Sequence, residues 1–135
     1  MTKCVYGSLG HNPHIKLNDL EVDCKTDYAV IAMSSLTNAP LNSSDNILLT
    51  AVGRAENTDA KFSGELMLDI GKAPVLCENV RAEISLSTCQ SDMSVWAVSA
   101  EGFYIGKVPA TYEDGKLKFT LGDVSRSIYY LIVKS

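Results

Sequence analysis

Short runs of alternating hydrophobic and polar residues, separated by turn residues, recur along most of the chain. Residues 116–121 are typical, because Leu117, Phe119 and Leu121 alternate with two lysines and a threonine. In a β-strand this period of two places the apolar side chains on one face and the polar side chains on the other. No window of about a dozen residues has apolar positions at helical spacing behind a capping residue. The pattern predicts an all-β fold.

Turn residues divide these runs into roughly nine to eleven short strands at a spacing of about ten residues. Glu113-Asp114-Gly115 predicts a hairpin turn, because Asp-Gly tolerates the positive φ angles of that geometry. Asn18-Asp19 predicts a turn between two short strands at residues 15–17 and 20–22. Further strands are predicted at residues 28–36, 47–52, 65–70, 75–80, 82–86, 93–99, 103–108, 116–121 and 128–133. The spacing favours an antiparallel β-sandwich, immunoglobulin-like or jelly-roll-like, in one domain.

Three segments depart from the strand pattern. Residues 1–13 contain two glycines and a His-Asn-Pro sequence, which predicts a loose N-terminal segment or linker remnant before a sandwich domain at 14–135. Residues 37–46 are polar and include Pro40, so they predict a surface loop. Residues 53–58, with the sequence GRAENT, predict a turn in which Gly53 marks a bulge or a close backbone approach.

Composition and charge exclude several classes of protein. The 135 residues are 46% hydrophobic and 21% charged, which is typical of a globular domain rather than a disordered chain. A net charge of -4 disfavours binding to nucleic acid or to an anionic membrane surface. No apolar run reaches the roughly 20 residues of a membrane-spanning helix. No signal-peptide pattern opens the sequence, which leaves the location open: secreted or cell-associated if a parent chain carries a signal peptide, and cytoplasmic otherwise.

Four cysteines, at positions 4, 24, 77 and 89, are too far apart for a CxxC pair. The spacing therefore does not support a zinc finger or a redox motif. Cys24 and Cys77 end apolar segments, so we expect them to be small buried hydrophobic residues. Reduced thiols are the favoured interpretation, and one disulfide, with unassigned partners, is the alternative.

Four stretches after Tyr28 resemble a known family. They read AVIAMSSL, SSDNILLTAVGRAENT, DIGKAPVLCENVRAEISL and WAVSAEGFYIGKVPATYEDGKLKFTL. Their order is similar to that in the β-sandwich domain that lies C-terminal to the catalytic (β/α)-barrel of large bacterial glycoside hydrolases. The resemblance covers roughly the last hundred residues. The chain departs from the family at two places, Asp59, where glycine is common, and the segment between Phe62 and Asp69, which is short here.

The resemblance implies a non-catalytic accessory module of a plant-polysaccharide-degrading enzyme. Its expected partner is the catalytic domain of that enzyme, which it braces, and polysaccharide contact is a further expected role. An autonomous carbohydrate-binding module is the alternative, and a small β-sandwich enzyme is a third hypothesis. Fold analogy alone does not decide among them.

The polar residues of the GRAENT segment are Arg54, Glu56 and Asn57. In extended backbone Arg54 and Glu56 share one face, where they can form an ion pair or bind sugar hydroxyls. The structural interpretation is favoured, in which Arg54 joins this turn to a neighbouring strand or to the catalytic domain.

The sequence offers little for catalysis. A glycosidase needs two carboxylates about 5 to 9.5 Å apart across a cleft, and most acidic residues here fall at turns or on outward strand positions. The two histidines, His11 and His14, lie near the predicted loose start, and no G-x-S-x-G sequence is present. We therefore expect no catalytic residue in this chain.

Exposed aromatic rings are the residues that stack on sugars. Trp96 lies in mid-strand, where a core or domain-interface position is favoured over a sugar platform. Of Phe103 and Tyr104 we expect one to be exposed, and Tyr112, before the Glu-Asp-Gly turn, is the better candidate for an exposed ring. Trp96, Tyr104 and Tyr112 are thus the candidate carbohydrate-binding residues.

Oxygen-bearing side chains that suit calcium occur in two places, Asp45 with Asn46 and Asn57 with Asp59. Neither belongs to a D-x-D-x-D loop. We expect no cofactor, with a structural calcium ion as the alternative.

Overall fold

The larger of two stacked sheets contains six antiparallel strands. The structure, a computed structural model, describes residues 2–9 and 14–135. Across this sheet the order is β1 (Thr2–Gly7), β4 (Ala29–Ser35), β5 (Asn46–Val52), β15 (Tyr129–Lys134), β11 (Met93–Val98) and β12 (Tyr104–Val108).

The second sheet has five strands, and it is also antiparallel throughout. Its order is β13 (Ala110–Glu113), β14 (Lys116–Leu121), β10 (Ala82–Ser87), β3 (Leu20–Cys24) and β2 (His14–Leu17). The Asp114-Gly115 turn between β13 and β14 has φ angles of 51° and 74°, as the sequence predicts.

Four short strands form a separate ribbon between β5 and β10. Strand β6 (Ala55–Thr58) pairs with β9 (Lys72–Cys77), and β7 (Lys61–Ser63) pairs with β8 (Leu66–Asp69). We call residues 55–77 the arm. The side chains described in it are exposed or half-buried, so the arm projects from the sandwich.

Alternate residues of both sheets point inward and form one hydrophobic core. Strand β14 buries Leu117, Phe119 and Leu121, and β10 buries Ala82, Ile84 and Leu86, in agreement with their sequence patterns. Of the adjacent pair Tyr129 and Tyr130, only Tyr130 is fully buried. The predicted all-β, antiparallel sandwich in a single domain is confirmed.

The expectation of a loose start is wrong for residues 2–7. They form β1 and pair with β4 from Thr2 opposite Ser34 to Gly7 opposite Ala29. The pairing satisfies the backbone of an otherwise polar segment, and Val5 enters the core. Gly10 and His11 to Pro13 lie outside the described residues.

The predicted surface loop at 37–46 also needs correction. A short 3₁₀ helix, Leu41–Ser43, places Leu41 in the core, and Ser44 is buried as well. The Ser44 hydroxyl donates a hydrogen bond to the carbonyl oxygen of Asn46 at 2.7 Å. The loop thus covers one end of the core instead of lying wholly at the surface.

The number of strands and the exposure of one cysteine differ from the sequence prediction. Fifteen strands occur in the described part of the chain, because β1, β13 and two arm strands, β6 and β7, add to the predicted set. Cys24 is buried as predicted, but Cys77 ends an arm strand and is exposed. All four cysteines are free thiols.

Candidate functional site

The arm joins two sequence motifs that are separated along the chain. In its ribbon Ala55 lies opposite Cys77 and Glu56 lies opposite Leu76, so the GRAENT and GKAPVL segments pair with each other. The expectation of a turn at 53–58 is therefore wrong, because residues 55–58 extend into strand β6. At the arm's base the Glu78 amide donates a 2.7 Å hydrogen bond to the Arg54 carbonyl oxygen.

The three polar residues singled out from sequence lie at the base of the arm. Arg54 and Glu56 are exposed, and no ion pair joins them within the described residues. The side-chain amide of Asn57 donates to the carbonyl oxygen of Ile70 at 3.0 Å, which ties β6 to the segment before β9. With Leu76 and Glu78 these residues line an open groove of about 440 Å³.

Asp59 follows strand β6 directly in the chain. Its φ angle is 61°, in the left-handed region that glycine adopts with the least strain. Its carboxylate forms an exposed ion pair with Lys72 at 3.2 Å. The residue thus keeps the backbone turn that a glycine would allow, and it adds a charge there.

The arm exposes an unusual number of large apolar side chains. Six of them are between 45% and 69% exposed, namely Phe62, Leu66, Met67, Leu68, Ile70 and Leu76. They lie on a ribbon only two strands wide, which has no core of its own. A concentration of exposed apolar residues of this kind is typical of a contact surface.

Two of the three candidate sugar-binding residues come together at the edge of the six-stranded sheet. The rings of Trp96 on β11 and Tyr104 on β12 are 5.2 Å apart between centroids and tilted by 47°. The Lys107 ammonium lies 5.8 Å from the centre of the Trp96 ring. Trp96 is half-buried on the outward face, so the expectation of a core position is wrong, and the expectation of a domain-interface position stays a prediction.

The exposure of Phe103, Tyr104 and Tyr112 differs from the sequence prediction. Phe103 and Tyr104 are both exposed, at 73% and 60%, because Phe103 lies in the turn before β12 and is not part of the strand alternation. Tyr112 is on the other sheet, faces inward and packs against the core. Its hydroxyl donates to the Thr88 carbonyl oxygen at 3.0 Å. Tyr112 is therefore not part of a surface with Trp96 and Tyr104.

The outer face of the five-stranded sheet carries the main group of charged side chains. Glu21 accepts from the Lys116 ammonium at 2.8 Å, and Lys16 lies 3.6 Å away. The hydrogen bond from Lys116 holds the pKa of Glu21 below its usual value. A general acid needs the opposite shift, so this carboxylate is poorly suited to protonating a leaving group.

Two other observations bear on chemistry. In residues 2–9 and 14–135 no three histidine, cysteine or acidic side chains are grouped as metal ligands. Of the proposed calcium oxygens, Asp45 accepts a 2.5 Å hydrogen bond from Gln90.

Within residues 2–9 and 14–135, no helix has the length and apolar character to cross a membrane.

Comparisons with protein-family models, with curated proteins and with solved structures found no match for this chain.

Proposed function

We propose that this chain is a non-catalytic accessory module of a bacterial glycoside hydrolase, and that its arm docks on the catalytic domain of the enzyme. The observation that carries the proposal is the exposed apolar arm. The sequence resemblance to sandwich domains beside a (β/α)-barrel supplies the expected partner, and two of its four stretches contain the paired strands β6 and β9.

Burial of the arm's apolar side chains by a partner is favourable in free energy. An isolated two-stranded ribbon is marginally stable in water, and among residues 2–9 and 14–135 no third strand pairs with this ribbon. Full burial of one leucine-sized side chain contributes about 1.5–3 kcal/mol. Leu66, Leu68 and Ile70 are each more than half exposed, so a partner that covers them stabilises both the arm and the complex.

Polar groups at the base of the arm suit the rim of such a contact. Arg54 and Glu56 are exposed on either side of the residue Ala55, and Asn57 is already hydrogen-bonded within the ribbon. Interfaces of this type combine an apolar centre with a polar, solvent-accessible rim. The arm therefore offers both parts of a docking surface in one continuous segment.

The test uses the catalytic barrel domain of the parent enzyme, produced as a separate chain. We expect this protein to bind it and to raise its melting temperature. The double variant Leu66→Ser/Leu68→Ser should weaken binding at least about tenfold, which is about 1.4 kcal/mol. The matched control is Val124→Ser, which removes an exposed apolar side chain outside the arm. Equal affinities of the double variant and the control, or no association, would contradict the proposal.

Polysaccharide contact is a second candidate function, favoured by the ring pair of Trp96 and Tyr104. Exposed aromatic rings can pack on the apolar faces of sugars, and Tyr104 is accessible. The test is affinity electrophoresis and pull-down with cellulose, xylan, mannan, pectin and arabinan. We expect Tyr104→Ala to reduce any retention while Tyr6→Ala, an exposed tyrosine on the opposite edge strand, leaves it unchanged. Absence of retention on every polysaccharide would reject this second function.

A further inference from the structure

The outward face of the five-stranded sheet contains an open cavity of about 490 Å³. We call it the polar cavity, and its lining includes Asp23, Glu83, Ser85, Thr111, Lys118 and Thr120. Small-molecule binding sites have volumes of about 300–1,000 Å³, so the polar cavity is large enough to be one. It shares no residue with the arm or with the pair of Trp96 and Tyr104, so it is a third surface of the molecule.

Ser85 lies at the centre of one row of side chains across the polar cavity. On β10 it is paired with Lys118 of β14 on one side and with Glu21 of β3 on the other, and Thr111 of β13 is the next neighbour of Lys118. The hydroxyl oxygen of Ser85 is buried, and it has no hydrogen-bond partner in the described part of the chain. A buried hydroxyl without a partner is unfavourable, so this group is available to a ligand.

Two carboxylates lie side by side in the next row. Asp23 and Glu83 are paired residues on β3 and β10, and Thr120 is the partner of Glu83 on β14. The ammonium of Lys25 lies 3.4 Å from Glu83, whereas Asp23 forms no ion pair among residues 2–9 and 14–135. Like charges directly opposite each other destabilise a sheet, and hydrogen-bond donors from a ligand would relieve this repulsion.

Lys118 supplies a cationic donor on the other side of Ser85. Its ammonium is exposed and forms no ion pair within the described ranges. Two residues earlier on the same strand, the ammonium of Lys116 is already engaged, because it donates to Glu21 at 2.8 Å. Lys118 is therefore free to donate to an oxygen atom of a ligand.

The mixture of donors and acceptors indicates the class of ligand. An anion would meet the three carboxylates of Glu21, Asp23 and Glu83, and a cation would meet the two ammonium groups of Lys116 and Lys118, since all five line the polar cavity. A neutral hydroxyl group donates to a carboxylate and accepts from an ammonium, so a ligand with several hydroxyls matches both. Hydrogen bonds to these charged groups are also stronger than those between neutral groups.

We propose that the polar cavity binds the neutral sugar units of an oligosaccharide. In this complex the Ser85 hydroxyl and the Lys118 ammonium contact sugar hydroxyls from one side, and the Asp23 carboxylate accepts hydrogen bonds from the other. The proposal does not depend on docking of the arm. It places sugar binding on the sheet opposite to Trp96 and Tyr104, so it can fail independently of polysaccharide contact at that ring pair.

The test is titration of the full chain with soluble hexasaccharides of cellulose, xylan, mannan and arabinan, followed by two-dimensional NMR. We expect at least one of them to shift the amide signals of β3, β10 and β14 around Ser85. Ser85→Ala should raise the dissociation constant at least about fivefold, because one hydrogen bond to the sugar is lost. Its melting temperature should not fall, because the hydroxyl has no partner within the described residues. The matched control is Ser87→Ala, a half-buried outward position two residues further along β10, which should bind as the wild type does.

A second variant, Lys118→Gln, removes the ammonium and should weaken binding by a similar factor. The proposal is overturned if no hexasaccharide shifts these amide signals. It is also overturned if an oligogalacturonate, which is acidic, binds more tightly than every neutral probe. A response that is lost in Tyr104→Ala but kept in Ser85→Ala and Lys118→Gln would place sugar binding at the ring pair and reject the polar cavity.

Discussion

The hydroxyl group of Tyr130 donates a hydrogen bond to the carbonyl oxygen of Ser125 at 3.1 Å. The same hydroxyl accepts one from the Gly122 amide at 3.3 Å. Tyr130 is fully buried on β15, so one side chain holds the start and the middle of segment 122–128, which leads from β14 to β15. Val124 in this segment is exposed, and Asn79 also donates a hydrogen bond to the Gly122 carbonyl oxygen at 2.9 Å.

Replacing Tyr130 by phenylalanine should lower the free energy of unfolding by about 1–3 kcal/mol, because the Gly122 amide and the Ser125 carbonyl lose their partner. Urea unfolding measures this change. Tyr129→Phe is the matched control, since Tyr129 is half-buried on the outward face, and it should change stability far less. Equal losses in the two variants would show that these hydrogen bonds do not contribute.

The same residue predicts how stability depends on alkaline pH. Burial raises the pKa of the Tyr130 hydroxyl above the usual value of about 10. The unfolded chain therefore ionises first, so this contribution to stability is full below about pH 10 and is lost as pH rises further. Tyr130→Phe should make the unfolding free energy less steep in that range. An unchanged slope would contradict the assignment to Tyr130.

Alanine variants of Gly122 and Gly115 distinguish the cost of an unfavourable backbone conformation from the cost of a steric clash. Their φ angles are nearly equal, 75° and 74°. A Cβ atom at Gly122 would lie 2.4 Å from the carbonyl oxygen of Val80, whereas a Cβ at Gly115 would meet no atom within 4 Å. Gly115→Ala should lose about 1–2 kcal/mol from backbone conformation alone. Gly122→Ala should lose more, measured by thermal unfolding, and equal losses would contradict the close approach.

Thiol labelling should divide the cysteines into two classes. Cys4, Cys77 and Cys89 are exposed, and Cys24 is buried with its pKa raised by burial. Because the thiolate is the reactive form, we expect three cysteines to react with iodoacetamide in the native protein and Cys24 to react only after unfolding. Mass spectrometry of the labelled peptides measures this. Fast labelling of Cys24 would indicate that the core opens near β3.

The Glu21–Lys116 pair predicts a dependence of stability on acidic pH. The pKa of Glu21 is lowered in the folded chain, so its contribution is present above the unfolded value of about 4.3 and is lost as pH falls through the folded value. Glu21→Gln should therefore reduce stability at neutral pH, and its difference from wild type should vanish in strong acid. Glu101→Gln, in an exposed turn, is the control. A difference that stays constant with pH would contradict the role of the charge.

Local patterns predicted much of the fold, but they did not predict which side of the molecule an aromatic ring would face. The alternation at residues 116–121 and the Asp-Gly turn were reliable, because both depend on neighbouring residues in the chain. Tyr112 was expected to be exposed, yet its strand pairs with β14 in a register that turns the ring inward. Strand register depends on residues that are distant in sequence, and a shift of one residue exchanges the two faces.

By itself, the sequence determined the all-β class, the inward residues of β10 and β14, and the hairpin turn at Asp114-Gly115. The physical reason is that side-chain period and local φ preference act within a few residues. Only the tertiary structure decided that residues 2–7 form an edge strand, that β6 and β9 make an exposed arm, and that outward side chains of β3, β10 and β14 line one cavity. Those features arise from the order and pairing of strands far apart in the chain, which no local pattern specifies.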